Sequence, residues 1–187
     1  MDFGSYLNDF NAMLGRVAPQ EVEALVQAVE NAYREGRFIF FIGNGGSAAN
    51  SSHVAEDLAK GTLSDFERQK RMRVLSLTDN VAHITALAND LSYESIFVEQ
   101  LRHVASPGDL LIAISGSGNS PNVLRAVEWA NANGMKTFGV TGYDGGRLRK
   151  IAQAGLHVPC HNMGMAEGVH SVVFHYLVEV LHERLKP

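Results

Sequence analysis

The sequence predicts a doubly wound α/β fold, with five short parallel strands between layers of helices. Three observations carry this. From Phe38 onward, short apolar runs alternate with segments of helical period, the pattern of successive βαβ units. The runs are apolar throughout and do not alternate with polar residues, as expected of parallel strands covered on both faces. The stretches after them are rich in Gly, Ser and Asn. Those stretches fall at the carboxyl ends of the strands, where open parallel sheets bind ligands.

The elements follow in order. Ser5 to Leu14 reads as a short helix. Pro19 opens a longer one from Gln20 to Glu35, in which Val22, Leu25, Val26, Val29 and Tyr33 recur at helical spacing. Gly36 stops it. Phe38–Ile42 is the first strand and Ser47–Lys60 the next helix; residues 61–72 have no clear period and form a loop. Val74–Leu77 is the second strand, followed by helices over Val81–Ala88 and Tyr93–Ala105. Pro107-Gly108-Asp109 is a turn into the third strand, Leu110–Ile114. Ser120–Asn133 is a helix with Ser120 as its N-cap and Pro121 in its first turn. Thr137–Val140, a short helix over Arg147–Ala154, the strand Leu156–Val158 and a last helix from Ala166 to Leu185 complete the chain.

At 187 residues this is the length of one domain with a sizeable core. It is expected to span residues 1–187, with residues 1–36 as additional N-terminal helices. The formal charge is −4 and no basic block stands out, so no nucleic-acid surface is expected. The short segment Arg68–Arg73 reads as a solvated loop. Cys160 is the single cysteine, which excludes an intrachain disulfide and suggests a cytoplasmic protein. No signal peptide is evident at the N-terminus, and no apolar run approaches the roughly 20 residues that span a bilayer.

Chemistry is expected in the strand-end loops. After the first strand comes Gly43-Asn44-Gly45-Gly46-Ser47, and after the third Ser115-Gly116-Ser117-Gly118-Asn119-Ser120. Glycines let backbone N–H groups approach an anion, serine hydroxyls donate to it, and a following helix N-terminus adds positive potential. The pair of loops thus reads as a phosphate site that uses no lysine or arginine, fitting neither the dinucleotide fingerprint nor the P-loop. His53 and Asp57 stand at i and i+4 on one helix face. Alone they read first as a surface pair, and only second as part of a reaction centre. Glu167, His170 and His175 punctuate an otherwise apolar last helix. His170 reads as a hydrogen-bonded structural histidine and Cys160 as a small core residue. Glu167 and His175 are eight residues apart, roughly 12 Å along an ideal helix.

The combination GNGGSAA, AND at residues 88–90 and ISGSGNSPNVLRA resembles the sugar isomerase (SIS) domain, and within it the phosphoheptose isomerases, which act on sedoheptulose 7-phosphate. The resemblance covers nearly the whole chain. It implies a five-stranded parallel sheet in flavodoxin-like order and a homotetramer with active sites at subunit interfaces. By position it assigns substrate contacts to Asn44, Gly45, Gly46, Ser47, Asn89, Asp90 and Glu167, and the phosphate to Ser115, Gly116, Ser117 and Ser120. Catalysis falls to Asp57 and His175, and a zinc site to His53, Asp57, Glu167 and His175. Two positions depart from the family pattern, with Asp57 in place of a glutamate and Glu167 in place of a glutamine.

The expected reaction is aldose–ketose isomerisation of a phosphorylated sugar through an enediol, with Asp57 as base and His175 as acid. Two other functions fit the same resemblance. One is a non-catalytic branch that binds the bacterial replication initiator; the other is an isomerase or sensor for a different sugar phosphate. The carboxylate at Asp57 favours catalysis over the initiator-binding branch.

Overall fold

The computed structural model describes residues 2–186; Met1 and Pro187, the ends of the expected domain, lie outside that range. Five parallel strands form one sheet: β1 (Phe38–Ile42), β2 (Arg73–Ser76), β3 (Leu110–Ser115), β4 (Lys136–Thr141) and β5 (Ala154–His157), in the order β2-β1-β3-β4-β5. Alternate side chains of each strand enter opposite layers. Ile39 and Phe41 of β1 join Ile112, Ile114, Phe138 and Val140 under α2 (Pro19–Arg34), α3 (Gly46–Lys60) and α8 (Met163–Arg184). Phe40 and Ile42 join Leu111 and Ala113 on the other face, under α5 (Val98–Val104), α6 (Pro121–Ala132) and α7 (Leu148–Ile151). A side chain such as Phe41, fully buried and edge-on to Phe174, contributes on the order of 2–3 kcal/mol through burial. α1 (Phe3–Leu14) packs Phe10, Met13 and Leu14 against Cys160, Met165 and Val169 in a third cluster. Cys160 is therefore a core residue, and no helix among the described residues is long and apolar enough to cross a membrane.

The structure corrects several sequence expectations. β2 is not covered on both faces. It pairs only with β1, and Arg73 and Leu75 are exposed, as befits an edge strand. The helix expected over Tyr93–Ala105 is broken into a 3₁₀ turn, Tyr93–Ser95, and α5. The break coincides with an anchor: Arg125 of α6 donates to the hydroxyl of buried Ser95, which also pairs with Ser92. α4 (Val81–Asp90) runs two residues further than expected, α7 ends at Ile151, and β5 starts two residues early. α8 begins at Met163, three residues before the expected start, because Asn162 caps it by accepting from the Met165 N–H.

Candidate active site

Three helix N-termini meet at the carboxyl edge of the sheet. α3 starts at Gly46 after β1, α6 at Pro121 after β3, and α8 at Met163 after β5. Between them lies a cleft of about 230 Å³, lined by Asn44–Ser47, Ile114–Ser117, Ser120, Met163 and Glu167. It is smaller than the roughly 300 Å³ at which drug-sized pockets begin, so it suits a small ligand. No lysine or arginine lines it. The positive potential comes instead from the helix ends, each equivalent to roughly half an elementary charge.

The loops are shaped to leave these donors free. Gly45, the residue before α3, has φ 54° and ψ −123°, a conformation open only to glycine. It offers no capping side chain to compete for the first N–H groups of the helix. Ser120 occupies the N-cap position of α6 as expected, yet its hydroxyl makes no capping bond; it pairs at 3.2 Å with the hydroxyl of Ser115. The cap falls instead to Asn122, whose side-chain oxygen accepts from the Val123 N–H. The serine loop is braced from behind by the loop after β4. Gly142 donates to the Gly116 carbonyl and Leu148 to that of Gly118. A Cβ at Gly118 would lie 2.0 Å from the Gly145 carbonyl oxygen.

That brace rests on two histidines. Buried His170 lies 3.1 Å from the Thr141 carbonyl through Nε2, while its Nδ1 has no partner. Burial pushes its pKa down to about 4, so it is neutral at pH 7 and donates from Nε2. His157 pairs with the Thr141 hydroxyl at 3.0 Å, and burial followed by nearby Arg149 lowers its pKa.

A second cluster stands further along α3 and α8. His53 Nε2 lies 3.3 Å from Asp57 Oδ2, and His175 Nε2 lies 3.8 Å from the same oxygen. The two imidazoles meet edge to face with centroids 5.0 Å apart. The pairing at i and i+4 is therefore more than a surface pair, because α8 supplies a third group. One ligand atom from each residue lies within 4.8 Å of the others. Ligands on a tetrahedral zinc, at roughly 2.0–2.2 Å each, stand about 3.3 Å apart. Two nitrogens and one oxygen at this spacing fit a zinc site with a position left open for substrate.

Glu167 does not belong to this cluster. A Cβ placed on Gly46 would lie 2.2 Å from its Oε2, which puts its carboxylate in the cleft; the eight-residue spacing along α8 keeps it from His175. Of the four residues that the resemblance groups as metal ligands, His53, Asp57 and His175 converge here, while Glu167 lines the cleft. Asn44, Gly45, Gly46, Ser47, Ser115, Gly116, Ser117 and Ser120 do converge on the cleft. Asn89 and Asp90 do not. They sit exposed in the last turn of α4, with the Asn89 amide donating to Asp90. Three residues near the cleft had no role in the sequence reading: Met163, Tyr93 and Asn122.

Comparisons with known proteins place the chain in a family. The SIS domain family matches residues 5–142. Two curated phosphoheptose isomerases are similar over most of the chain. That of Geotalea daltonii is 32% identical over 173 residues, 92% of this chain and 88% of its own. That of Paramagnetospirillum magneticum is 36% identical over 168 residues, 90% and 86%. A solved phosphoheptose isomerase from Francisella tularensis is 27% identical, covers 96% of both chains and superposes with a TM-score of 0.88. The chain belongs to the SIS domain family, in its phosphoheptose isomerase branch. It is a sugar-phosphate isomerase by that membership.

Proposed function

We propose that the protein converts sedoheptulose 7-phosphate to D-glycero-D-manno-heptose 7-phosphate through an enediol. The observation that carries this is the pairing of a cation-free anion cleft with the His53–Asp57–His175 trio about two turns further along the same helices. Seven residues of α3 separate Gly46 from His53, roughly 10 Å of helix. That separation favours a ketose with its carbonyl and phosphate at opposite ends of a long carbon chain.

Ser115, Gly116, Ser117 and Ser120 bind the phosphate, and Asn44, Gly45, Gly46, Ser47 and Glu167 the sugar. Remote phosphate binding fixes the carbonyl end for reaction. Asp57 removes the proton from C1 of the ketose as His175 protonates the carbonyl oxygen on C2, giving the enediol. The C1 hydroxyl then returns its proton to His175, the C1 carbonyl forms, and Asp57 delivers its proton to C2. Asp57 meets both imidazoles through Oδ2, which leaves Oδ1 for the proton transfer. Zinc, if held by His53, Asp57 and His175, would supply in place of the His175 proton the positive charge that polarises the carbonyl.

The assembly we propose is a cytoplasmic homotetramer with the N-terminal helices at its interfaces. Exposed Phe3 and Leu7 on α1 and Val172 and Tyr176 on α8 support it. In that assembly the exposed Asn89 and Asp90 of one subunit reach a neighbour's ligand.

The test is a panel of C5 to C7 ketose phosphates followed by NMR, with metal content and light scattering measured on the same sample. Aldose formation from sedoheptulose 7-phosphate, by a zinc-containing tetramer, is expected. A folded, metal-free protein inert on the whole panel would sink the reading.

A further inference from the structure

Asn44 lines the cleft, but its side-chain amide is not free to choose which end it presents. The Val123 N–H donates at 3.0 Å to the side-chain oxygen of Asn122. Only an oxygen can accept that bond, so the backbone at the start of α6 fixes which end of the Asn122 amide is which. The Asn122 Nδ2 therefore points at Asn44, where it donates to Oδ1 at 2.9 Å. In return Asn44 Nδ2 donates to Asn122 Oδ1, also at 2.9 Å. The hydroxyl of Tyr93 donates to the same Asn44 oxygen at 2.9 Å. Asn44 Oδ1 then has two donors, the full complement of a carbonyl oxygen, and Nδ2 has one of its two hydrogens engaged.

What remains of Asn44 is a single N–H. Asn122 is 1% exposed and its pairing with Asn44 is half-buried, while Tyr93 closes the network from the surface side. The 3₁₀ turn that carries Tyr93 is itself held to α6 by the Arg125–Ser95 bond. A chain of contacts thus runs from a backbone amide of α6 to the ligand side of the cleft.

We propose that Asn122 and Tyr93 are positioning residues that make Asn44 a donor-only group, directed at an oxygen acceptor in the sugar portion of the ligand. The phosphate already has the serine loop after β3 and the helix ends, whereas Asn44 stands on the neighbouring loop after β1 that leads into the helix of the trio. The amide therefore selects ligands that present a carbonyl or hydroxyl lone pair there, and disfavours those that present an N–H. This inference rests on the sugar-phosphate reading above, but not on turnover.

The experiment measures dissociation constants for sedoheptulose 7-phosphate and for inorganic phosphate in parallel. Asn122→Asp keeps the acceptor for Val123 but places an oxygen against Asn44 Oδ1. It is expected to weaken the sugar phosphate about tenfold, the loss of one buried hydrogen bond, and inorganic phosphate less than twofold. Tyr93→Phe removes one hydroxyl from an exposed ring and guards against misfolding in the first variant. It is expected to weaken the sugar phosphate about threefold. In an Asn44→Ala background both effects should fall below twofold, since residues acting through one group are not additive. Equal losses for the two ligands, or losses that persist in the Asn44→Ala background, overturn the proposal. So does a wild-type protein with no preference for the sugar phosphate. A wild-type protein that binds the ketose phosphate in preference, loses that preference in Asn122→Asp, yet never turns it over, supports the positioning role and sinks the isomerase reading alone.

Discussion

The cleft and the trio share α3 and α8 but are made of opposite materials. The cleft is built mainly from glycines, small hydroxyls and helix ends, with Glu167 as the one ionisable side chain of its lining and no cationic one, and its shape is fixed by backbone contacts such as Gly142 to Gly116. The trio is built from ionisable side chains that converge from two helices, with His53 and His175 about half exposed. A region of fixed dipoles recognises an anion without having to change protonation state. A region of imidazoles and a carboxylate moves protons or holds a metal. In the proposed reaction the difference separates holding the substrate from reacting with it, so the two should fail separately when mutated.

The largest effect is expected at the trio. His175→Gln should lower turnover by about 10² to 10⁴, the range for a general acid or base, while affinity for inorganic phosphate stays within twofold; steady-state kinetics and calorimetry on one preparation check this. Acid should separate the regions next. Burial holds the His170 pKa down at about 4 in the folded protein, against the ordinary 6.5 of an exposed imidazole, so the unfolded chain takes up its proton first as pH falls. Stability therefore decreases from about pH 6.5 downward and levels off near pH 4. Between pH 7.5 and 5 the loss from this residue is about 2 kcal/mol. Urea unfolding of wild type and His170→Gln should show it as a steeper pH dependence in the wild type. The reverse of the His175 result is expected in the cleft, where Ser115→Ala should weaken inorganic phosphate about tenfold with the zinc content of the protein unchanged. The smallest effect is expected at Glu56, one residue before Asp57. Glu56 forms its ion pair with Lys60 and is not one of the three groups whose ligand atoms converge, and Glu56→Gln should leave turnover within twofold. A large loss there would mean that the helix surface as a whole, and not the trio, sustains catalysis.

Much of this arrangement was legible in the sequence. The sheet was legible because a strand buried along its whole length, such as Leu110–Ser115, has little room for polar residues. The two glycine-rich loops were legible because backbone turns that approach an anion leave few choices of residue. The third helix end was not. Asn162–Gly164 reads as loop, although an asparagine three residues before the Met165 N–H it accepts from is a capping signal. Moving the start of α8 to Met163 brings that helix end to the cleft. Asn122 and Tyr93 were hidden for a different reason: their work depends on partners 78 and 49 residues away, and no local pattern encodes such pairings. The position of Glu167 was half legible. Its spacing from His175 left a shared ligand open only through long reaching side chains or across a subunit interface, whereas the family resemblance grouped them.

The most direct measurement compares wild type and Asp57→Asn, each shown by calorimetry to be saturated with sedoheptulose 7-phosphate, in a single-turnover NMR experiment. Equal occupancy is expected, with aldose phosphate formed by the wild type and formed at least about 100-fold more slowly by the variant. Equal rates in the two proteins, or no aldose phosphate from the saturated wild type, would contradict the division between a cleft that holds and a trio that reacts.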